Sequence, residues 1–304
     1  MENDTKTQAI NCPLCGKREY TEIKQFGNSV IVARCKECNM IYTPVADNRP
    51  EDLFGQISFE NLKFSCAPIV NGIKPHFRKN IFNEYLNMIE KYSTGKKHLD
   101  VGCAHGFFLD MSKKRGHEVM GIEPNPEMAR FGKEILNLNI QNGVLKEVGV
   151  SEKFDIITFT DSLEYFVHPI EELQELFQHN LNEKGIVFIK VPNGDYFNAR
   201  HKLFGDKNAF SPSKRVAHYN YNTIKQLGNS LGLKIIKAGF FKPIDSPVWD
   251  DLIGLPLQIG SPWWLGLRGK ITRSILHFIG LLEFLFIRKN HFSQSVYIVL
   301  KNQP

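Results

Sequence analysis

The spacing of hydrophobic and polar residues changes along the chain. Apolar side chains recur at helical spacing at Phe77, Ile81, Tyr85 and Ile89, which predicts an amphipathic helix there. From residue 97 onward, short apolar runs alternate with amphipathic stretches. The runs predict strands at 98–102, 118–123, 139–141, 154–160 and 185–191, and the stretches predict helices at 107–115, 125–136 and 169–181.

This alternation predicts an α/β fold with a doubly wound, mostly parallel sheet, because helical crossovers between parallel strands cover both faces of the sheet. Beyond residue 192 the pattern predicts loops, then a helix at 222–231 and strands at 234–238 and 295–300. We divide the chain into three parts. They are a cysteine-rich ribbon at 10–44, a linker or cap at 45–75, and a large domain at 76–304 with an apolar helical insertion at about 245–290.

The composition is typical of a folded protein with a sizeable core, since 42% of the 304 residues are apolar. The 38 basic and 32 acidic side chains leave a formal net charge of +6, and the basic residues are scattered along the chain. This distribution does not favour nucleic-acid binding. The first residues are polar and contain no apolar run, so we expect a cytoplasmic protein.

Four of the six cysteines form two C-x-x-C pairs near the start of the chain. Cys12 and Cys15 are followed, after 19 intervening residues, by Cys35 and Cys38. This spacing is typical of tetrathiolate zinc sites, and Gly16 allows a sharp turn after the second cysteine. We predict a structural Zn²⁺ in a ribbon that is too small to fold by apolar burial alone. Disulfide pairing and coincidental spacing are the alternatives.

The first predicted strand of the large domain runs into a glycine-containing turn. The sequence from residue 99 is Leu-Asp-Val-Gly-Cys-Ala-His-Gly, and a predicted helix follows it. Glycines at such a turn let the backbone approach a ligand closely. A dinucleotide fingerprint would need a glycine at Phe107, and a phosphate-binding loop would need Gly-Lys-Ser/Thr, so sites for NAD and ATP are disfavoured.

The segment from Asp100 to Gly106 resembles the first motif of class I S-adenosylmethionine-dependent methyltransferases, with Ala104 in place of the middle glycine. The resemblance implies a Rossmann-like, mostly parallel seven-stranded sheet and S-adenosylmethionine as cofactor, with this loop around its methionine part. Glu123 ends a predicted strand 23 residues after Asp100, where a carboxylate can accept hydrogen bonds from both ribose hydroxyls. The loop residues expected to contact the cofactor are Asp100, Gly102, Cys103 and Gly106.

Later segments also resemble this family. After the third strand the family often has Gly-Asp, but here Gly143 precedes Val144, so contacts with adenine are expected near Val144 and Leu145. Tyr165 stands where the family often has histidine. The similar segments are the fourth strand at 154–159, the loop at 161–165, the fifth strand with its Pro-Asn exit at 185–193, and a His-x-x-Tyr element at 218–221.

Methyl transfer requires the in-line approach of a nucleophile, and a general base is needed only when the acceptor must lose a proton. His218 is the first candidate for a base or another acceptor-side contact, and Glu164 and His168 are the others. A structural role is the alternative for each histidine. Asp161 follows a predicted strand at its carboxyl end, where open α/β sheets bind their ligands, so we expect it to line the cofactor pocket.

We therefore predict a methyltransferase that acts on a small molecule or a glycan-type acceptor, in sugar, polysaccharide or secondary-metabolite assembly. Its architecture resembles sugar C-methyltransferases that begin with a four-cysteine module, although those carry a longer C-terminal domain. Two alternatives stay open. One is a non-catalytic scaffold on a degenerate methyltransferase core, suggested by Ala104, Val144 and Tyr165. The other is an RNA methyltransferase whose ribbon grips its substrate.

An apolar stretch at 252–287 precedes the last predicted strand. Its second run, 275–287, is shorter than the roughly 20 residues that span a bilayer. Trp263, Trp264 and the basic residues on either side of the run resemble the anchors of a helix lying in the membrane interface. We weigh peripheral attachment at the inner face of a membrane against packing over the acceptor pocket and against pairing of two subunits in a homodimer.

Overall fold

The computed structural model describes residues 8–26, 30–46, 57–204, 215–241 and 293–302, together with positions 210, 275, 278, 279 and 282. The predicted apolar insertion at 252–287 lies outside the described residues, apart from those last four positions. Among the helices that the structure describes, none is long and apolar enough to cross a membrane.

The ribbon is built from short antiparallel strands. Strand β3 (Val30–Cys35) pairs with β2 (Tyr20–Phe26) on one side and with β4 (Ile41–Tyr42) on the other. Strands β1 (Gln8–Ala9) and β5 (Val45–Ala46) form a separate two-stranded ladder that closes the ends of the ribbon.

Two helices lead from the ribbon to the central sheet. They are α1 (Phe59–Val70), which begins at the Ser58 N-cap, and α2 (Lys79–Tyr92). The Ser58 hydroxyl accepts a hydrogen bond from the Asn61 amide, which satisfies one of the unpaired donors of the first turn. Helix α2 buries Tyr85 and Ile89 of the predicted face, but Phe77 was wrongly included, because it precedes the helix and is exposed.

The central sheet contains seven strands in the order β8-β7-β6-β9-β10-β13-β12. Strand β13 is antiparallel to both of its neighbours, and the other four pairings are parallel, which confirms the predicted α/β fold class. The strands are β6 (Lys97–Val101), β7 (Glu118–Glu123), β8 (Asn139–Asn142), β9 (Phe154–Thr160), β10 (Leu181–Pro192), β12 (Lys234–Phe240) and β13 (Ser295–Lys301).

Helices cover both faces of this sheet because successive strand residues point to opposite sides. In β9, Ile157 packs in the cluster that contains α5 (Pro169–Asn180) and α7 (Tyr221–Ser230), whereas Ile156 packs in the cluster on the other face. That second cluster includes side chains from α1, α2, α3 (Phe107–Lys114) and α4 (Pro126–Glu134). The two apolar layers explain why the strands read as nearly continuous hydrophobic runs.

The ribbon shares a sheet with the large domain. Strand β11 (Ala217–His218) pairs with β4, so the ribbon sheet has the order β11-β4-β3-β2. Ribbon residues Leu14, Met40 and Tyr42 also belong to the hydrophobic cluster on the α5 and α7 face of the central sheet. The ribbon is therefore packed onto the large domain through both backbone pairing and apolar contacts.

One local prediction was wrong. Loops were predicted beyond residue 192, but the chain forms helix α6 (Gly194–Phe204). The Asn193 side chain accepts a hydrogen bond from the Asp195 amide and so provides an N-terminal cap. Strand β10 also begins at Leu181, whereas the sequence predicted that this strand begins at Gly185.

Gly121 in β7 is tightly surrounded by core side chains. A Cβ atom added at Gly121 would lie 2.5 Å from the Cys103 sulfur and 2.8 Å from a Leu109 methyl carbon, inside the core. We expect Gly121→Ala to lower the free energy of unfolding by about 1–3 kcal/mol, the usual cost of overpacking, as measured by urea denaturation. Gly149→Ala is the matched control, because no atom lies within 4 Å of its added Cβ. Equal stability of the two variants would contradict this packing.

Candidate active site

The direction of the chain across the sheet creates a crevice between β6 and β9. From β6 the chain continues outward through β7 and β8, and from β9 it continues in the opposite direction through β10. In open α/β sheets, ligands bind outside the carboxyl ends of the strands at such a switch point. Gly102, Glu123 and Asp161 lie at or directly after the carboxyl ends of β6, β7 and β9.

The loop between β6 and α3 adopts left-handed backbone angles at three alternate positions. The φ angles are 80° at Gly102, 50° at Ala104 and 85° at Gly106. A Cβ atom at Gly102 would lie 2.4 Å from the Ser162 Cβ, so this position requires glycine for space as well as for its backbone angle. Ala104 keeps the left-handed conformation at a cost of roughly 1–2 kcal/mol for an L-residue. The loop therefore has the shape of a three-glycine turn although its middle glycine is missing.

Glu123 connects this loop to the loop after β7 through hydrogen bonds. One carboxylate oxygen accepts a hydrogen bond from the Ala104 amide at 2.8 Å, and the other accepts one from the Asn125 amide at 2.9 Å. The side chain is buried, and burial raises the pKa of Glu123 to about 7 although the two amides oppose this shift. Each carboxylate oxygen has two lone pairs, so both oxygens keep the capacity to accept a further hydrogen bond.

Beneath the loop, Asp100 ends a buried hydrogen-bonded chain. The Thr158 hydroxyl donates to Asp100 Oδ1 at 2.6 Å, and it therefore accepts from His98 Nε2 at 2.9 Å. His98 Nδ1 in turn accepts from the Ser112 hydroxyl at 2.8 Å, which selects one neutral tautomer. Burial lowers the pKa of His98 to about 3, in agreement with a neutral ring, and raises the pKa of Asp100 to about 7.

Two cavities open at the carboxyl edge of the sheet. The first lies between the ends of β6 and β7 and the loop after β8, and the second lies on the β10 side. We name them the nucleoside cavity and the acceptor cleft after the ligands that the sequence resemblance leads us to expect there. The two cavities meet at Gly102, Asp161 and Tyr165, which line both. The nucleoside cavity is also lined by Ile122, Glu123, Val144, Leu145 and Phe166. The acceptor cleft is also lined by Arg78, Ala104, Glu164, Lys190, Phe197 and Arg215.

Asp161 forms the charged centre of the junction between the cavities. Its carboxylate lies 2.5 Å from Lys190 Nζ and 3.3 Å from a guanidinium nitrogen of Arg78. Burial alone would raise its pKa, but the charges of Lys190 and Arg78 outweigh burial and hold the pKa of Asp161 below its usual value. Asp161 also has a left-handed φ of 59°, a strained conformation of the kind that clusters at functional sites.

Glu164 is buried without a close donor. It lies in the 3₁₀ turn Leu163–Tyr165, and its side chain is 2% exposed. Arg215 Nε is 3.6 Å away, too far for a hydrogen bond, and neither carboxylate oxygen has a hydrogen-bond partner within the described part of the chain. Burial, together with the neighbouring charge of Asp161, raises the pKa of Glu164 to about 7. A carboxyl group of this kind can hold or release a proton near neutral pH.

The sequence model of a family described as Methyltransferase domain matches residues 76–238, more than half of the chain. The chain belongs to the methyltransferase domain family. The matched residues include the loop after β6, Glu123, Asp161, Glu164 and Arg215. The prediction of a methyltransferase is thereby confirmed.

Individual relatives cover different shares of this methyltransferase. An uncharacterized methyltransferase of Staphylococcus carnosus is 26% identical over 176 residues, covering 55% of this chain and 84% of that protein. A ubiquinone biosynthesis O-methyltransferase of Haemophilus ducreyi is 27% identical over 147 residues, covering 44% of this chain and 62% of that enzyme, less than two thirds of its length.

A solved structure shares the fold. The plantazolicin methyltransferase BpumL in complex with SAH superposes with a TM-score of 0.50 at 17% identity, and the alignment covers 84% of this chain and 94% of that one. At such low identity the likeness shows the fold alone.

Four of the sequence-predicted cofactor residues line the nucleoside cavity: Gly102, Glu123, Val144 and Asp161. The other three, Asp100, Cys103 and Gly106, line neither of the two cavities. The Cys103 side chain is buried in a core cluster with Leu109, Ala129, Leu138 and Ile140. Asp100, Cys103 and Gly106 therefore lie where they support the conformation of the loop, and they do not line the space that a ligand would occupy in either cavity.

His218 and His168 lie away from the junction. His218 belongs to β11, its ring packs edge-on against Phe210 at 5.2 Å, and burial with the nearby charge of Arg215 lowers its pKa to about 3. Neither histidine lines the nucleoside cavity or the acceptor cleft. Of the candidate bases named from the sequence, Glu164 is the one that the fold brings into the cleft.

The three basic residues of the cleft were missed by sequence reasoning. Lys190 carried a usable signal, because it is a charged residue inside the otherwise apolar run of the fifth strand and is buried in the structure. Arg78 and Arg215 gave no such signal. They reach the cleft from the start of α2 and from the segment before β11, which are distant in sequence.

The four ribbon cysteines converge on one point. Their sulfur atoms all lie within 4.8 Å of one another, with 3.4 Å between Cys12 and Cys38 and 3.5 Å between Cys15 and Cys35. Zinc–sulfur bonds of about 2.3 Å would place tetrahedral ligands about 3.8 Å apart, so this donor set fits a zinc ion. Each pair is followed by a residue with a left-handed φ, 70° at Gly16 and 61° at Asn39, which turns the backbone around the site.

Proposed function

We propose that S-adenosylmethionine binds in the nucleoside cavity and extends past Gly102 into the acceptor cleft. The observation that carries this proposal is the junction of the two cavities at Gly102, Asp161 and Tyr165, directly beside the glycine loop. Glu123 would accept hydrogen bonds from the ribose hydroxyls with its unused lone pairs. Val144 and Leu145, which line the far part of the cavity, would contact the adenine.

The bound cofactor would supply an electrophilic methyl group on its sulfonium sulfur. The chain's own residues would then position the acceptor and accept its proton. We propose Glu164 as the general base, because it lines the cleft and its raised pKa lies near the optimum for proton transfer at neutral pH. An acceptor hydroxyl would lose its proton to Glu164 while its oxygen bonds to the methyl carbon and the carbon–sulfur bond breaks.

The acceptor that we propose is a small molecule or a glycan-type compound with an ionisable or hydroxyl nucleophile. The cleft is lined by Tyr165, Phe197 and the charged groups around Asp161, which suits an acceptor with polar groups. The name of one relative, a ubiquinone biosynthesis O-methyltransferase, fits an acceptor that is methylated on oxygen. The non-catalytic scaffold is the competing candidate, since Ala104, Val144 and Tyr165 depart from the family pattern.

We further propose that Cys12, Cys15, Cys35 and Cys38 bind one structural Zn²⁺ and that the ribbon at 10–44 is a distinct module on the methyltransferase domain. The converging thiols support this proposal. Four thiolate ligands would close the coordination shell, which leaves no position for substrate and makes the site structural.

The first functional prediction concerns the cofactor. Glu123→Ala should weaken binding of S-adenosylmethionine and of SAH by one to two orders of magnitude, roughly the loss of two charge-assisted hydrogen bonds, as measured by calorimetry. Glu118→Ala, at the exposed start of the same strand, should leave the affinity unchanged. No binding to the unmodified protein would favour the scaffold candidate.

The second functional prediction concerns the base. Activity should rise with pH around pH 7, because Glu164 accepts a proton only when it is ionised and its folded pKa is about 7. Glu164→Gln should lower kcat about a hundredfold or more and remove this rise, as measured by transfer of a labelled methyl group to an acceptor found by screening. The exposed Glu175→Gln is the control, and an unchanged pH profile in Glu164→Gln would rule out the assignment.

The third functional prediction concerns the metal. Purified protein should contain about one equivalent of zinc, and Cys35→Ala should lose it together with several kcal/mol of stability, because metal binding supplies folding energy to the small ribbon. Metal analysis and thermal unfolding measure both effects. Cys66→Ala, a cysteine outside the cluster, should keep its zinc. Full zinc content in Cys35→Ala would refute the site.

A further inference from the structure

Arg215 presents an incompletely paired cation to the acceptor cleft. Its side chain is 28% exposed, and its guanidinium lies 5.7 Å from the centre of the Phe197 ring. Its Nε atom is buried and has no hydrogen-bond partner within the described residues. Its pairing is limited to an ion pair at 3.6 Å with Glu164, without a hydrogen bond, and to a side-chain contact with the hydroxyl of Tyr165 among the described residues.

The charges lining the cleft do not balance. Asp161 already contacts two cations, Lys190 and Arg78. Among the described residues, the lining contains three basic groups and two carboxylates, so their excess is one positive charge when Glu164 is ionised (3 − 2 = 1) and two when it is protonated. A neutral acceptor would leave this excess uncompensated in a partly buried site.

The ribbon holds Arg215 in place. The Thr43 hydroxyl donates to the Arg215 carbonyl oxygen at 2.9 Å, and the Thr43 amide donates to the Val216 carbonyl oxygen at 2.9 Å. The Val216 amide then donates to the Glu164 carbonyl oxygen at 2.9 Å. One short strand segment therefore connects the ribbon to both the cation and the carboxyl group of the cleft.

We propose that Arg215 binds an anionic group of the methyl acceptor, a phosphate or a carboxylate, and that Thr43 of the ribbon is a positioning residue for this subsite. The inference rests on the proposed function only in taking this cleft as the place of the acceptor. A guanidinium forms paired hydrogen bonds with either anion, so Arg215 would orient the acceptor relative to Glu164. The ribbon would thus contribute to acceptor binding while leaving the nucleoside cavity unchanged.

The test uses the full-length, zinc-loaded protein saturated with SAH. Calorimetric titrations at low ionic strength with inorganic phosphate and, separately, with succinate should show millimolar binding of at least one anion, and the stronger of the two identifies the anionic group of the acceptor. Arg215→Met should weaken that binding at least tenfold. Thr43→Val should weaken it severalfold while the affinity for SAH stays the same. Arg130→Met, an exposed arginine on α4, is the matched control and should bind as the unmodified protein does.

The results distinguish a failure of the proposed cofactor site from a failure of the proposed anionic subsite. If SAH does not bind, the proposed cofactor site fails. If SAH binds but neither anion does at about 10 mM, or if Arg215→Met binds the anion as tightly as the unmodified protein, the anionic subsite is refuted. Should Arg215→Met fail to fold, Arg215→Lys decides, because it keeps the charge and loses the paired geometry. Binding by that variant equal to that of the unmodified protein would also overturn the proposal.

Discussion

The buried carboxylate of Glu123 is the interaction on which the candidate site depends. It accepts one backbone hydrogen bond from each of two loops, at Ala104 and at Asn125, and so fixes the distance between the ends of β6 and β7. Burial of an ionised carboxylate without such partners would cost several kcal/mol. The first of these hydrogen bonds comes from Ala104, the loop residue that has a left-handed φ without being glycine. The nucleoside cavity is lined by the ends of β6 and β7, which this carboxylate connects, and by the loop after β8.

Buried charge is also compensated in the acceptor cleft, but there the charged groups come from more distant parts of the chain. Asp161, at the end of β9, is compensated by Lys190 from β10 and by Arg78 from the start of α2. The segment that carries Arg215 is joined to Glu164 by the Val216 amide and to the ribbon by Thr43, which donates to the carbonyl oxygens of residues 215 and 216. The ribbon is therefore part of the architecture of the cleft, which gives a structural reason for its attachment to a methyltransferase domain.

The sequence predicts the elements of this fold well because their signals are local. Strand and helix alternation, the glycines at 102 and 106, the acid at 123 and the cysteine spacing each depend on residues near one another in the chain. The helix after Asn193 was missed because its capping asparagine follows a proline, a combination that also favours loops. The cleft was only partly predictable, because Glu164 and Arg215 come from separate segments that meet at the Val216–Glu164 backbone hydrogen bond, a long-range contact without a local sequence signal. His218 looked chemically suited to the cleft, but the strand that carries it turns the ring toward Phe210.

The central claim is that the junction of the two cavities holds the cofactor with its ribose on Glu123. A crystal structure of the full chain with bound SAH tests it most directly. The account predicts both ribose hydroxyls within about 3 Å of the Glu123 carboxylate oxygens, adenine beside Val144, and the sulfur facing the cleft that contains Glu164. SAH bound elsewhere, or with its ribose away from Glu123, would contradict the account.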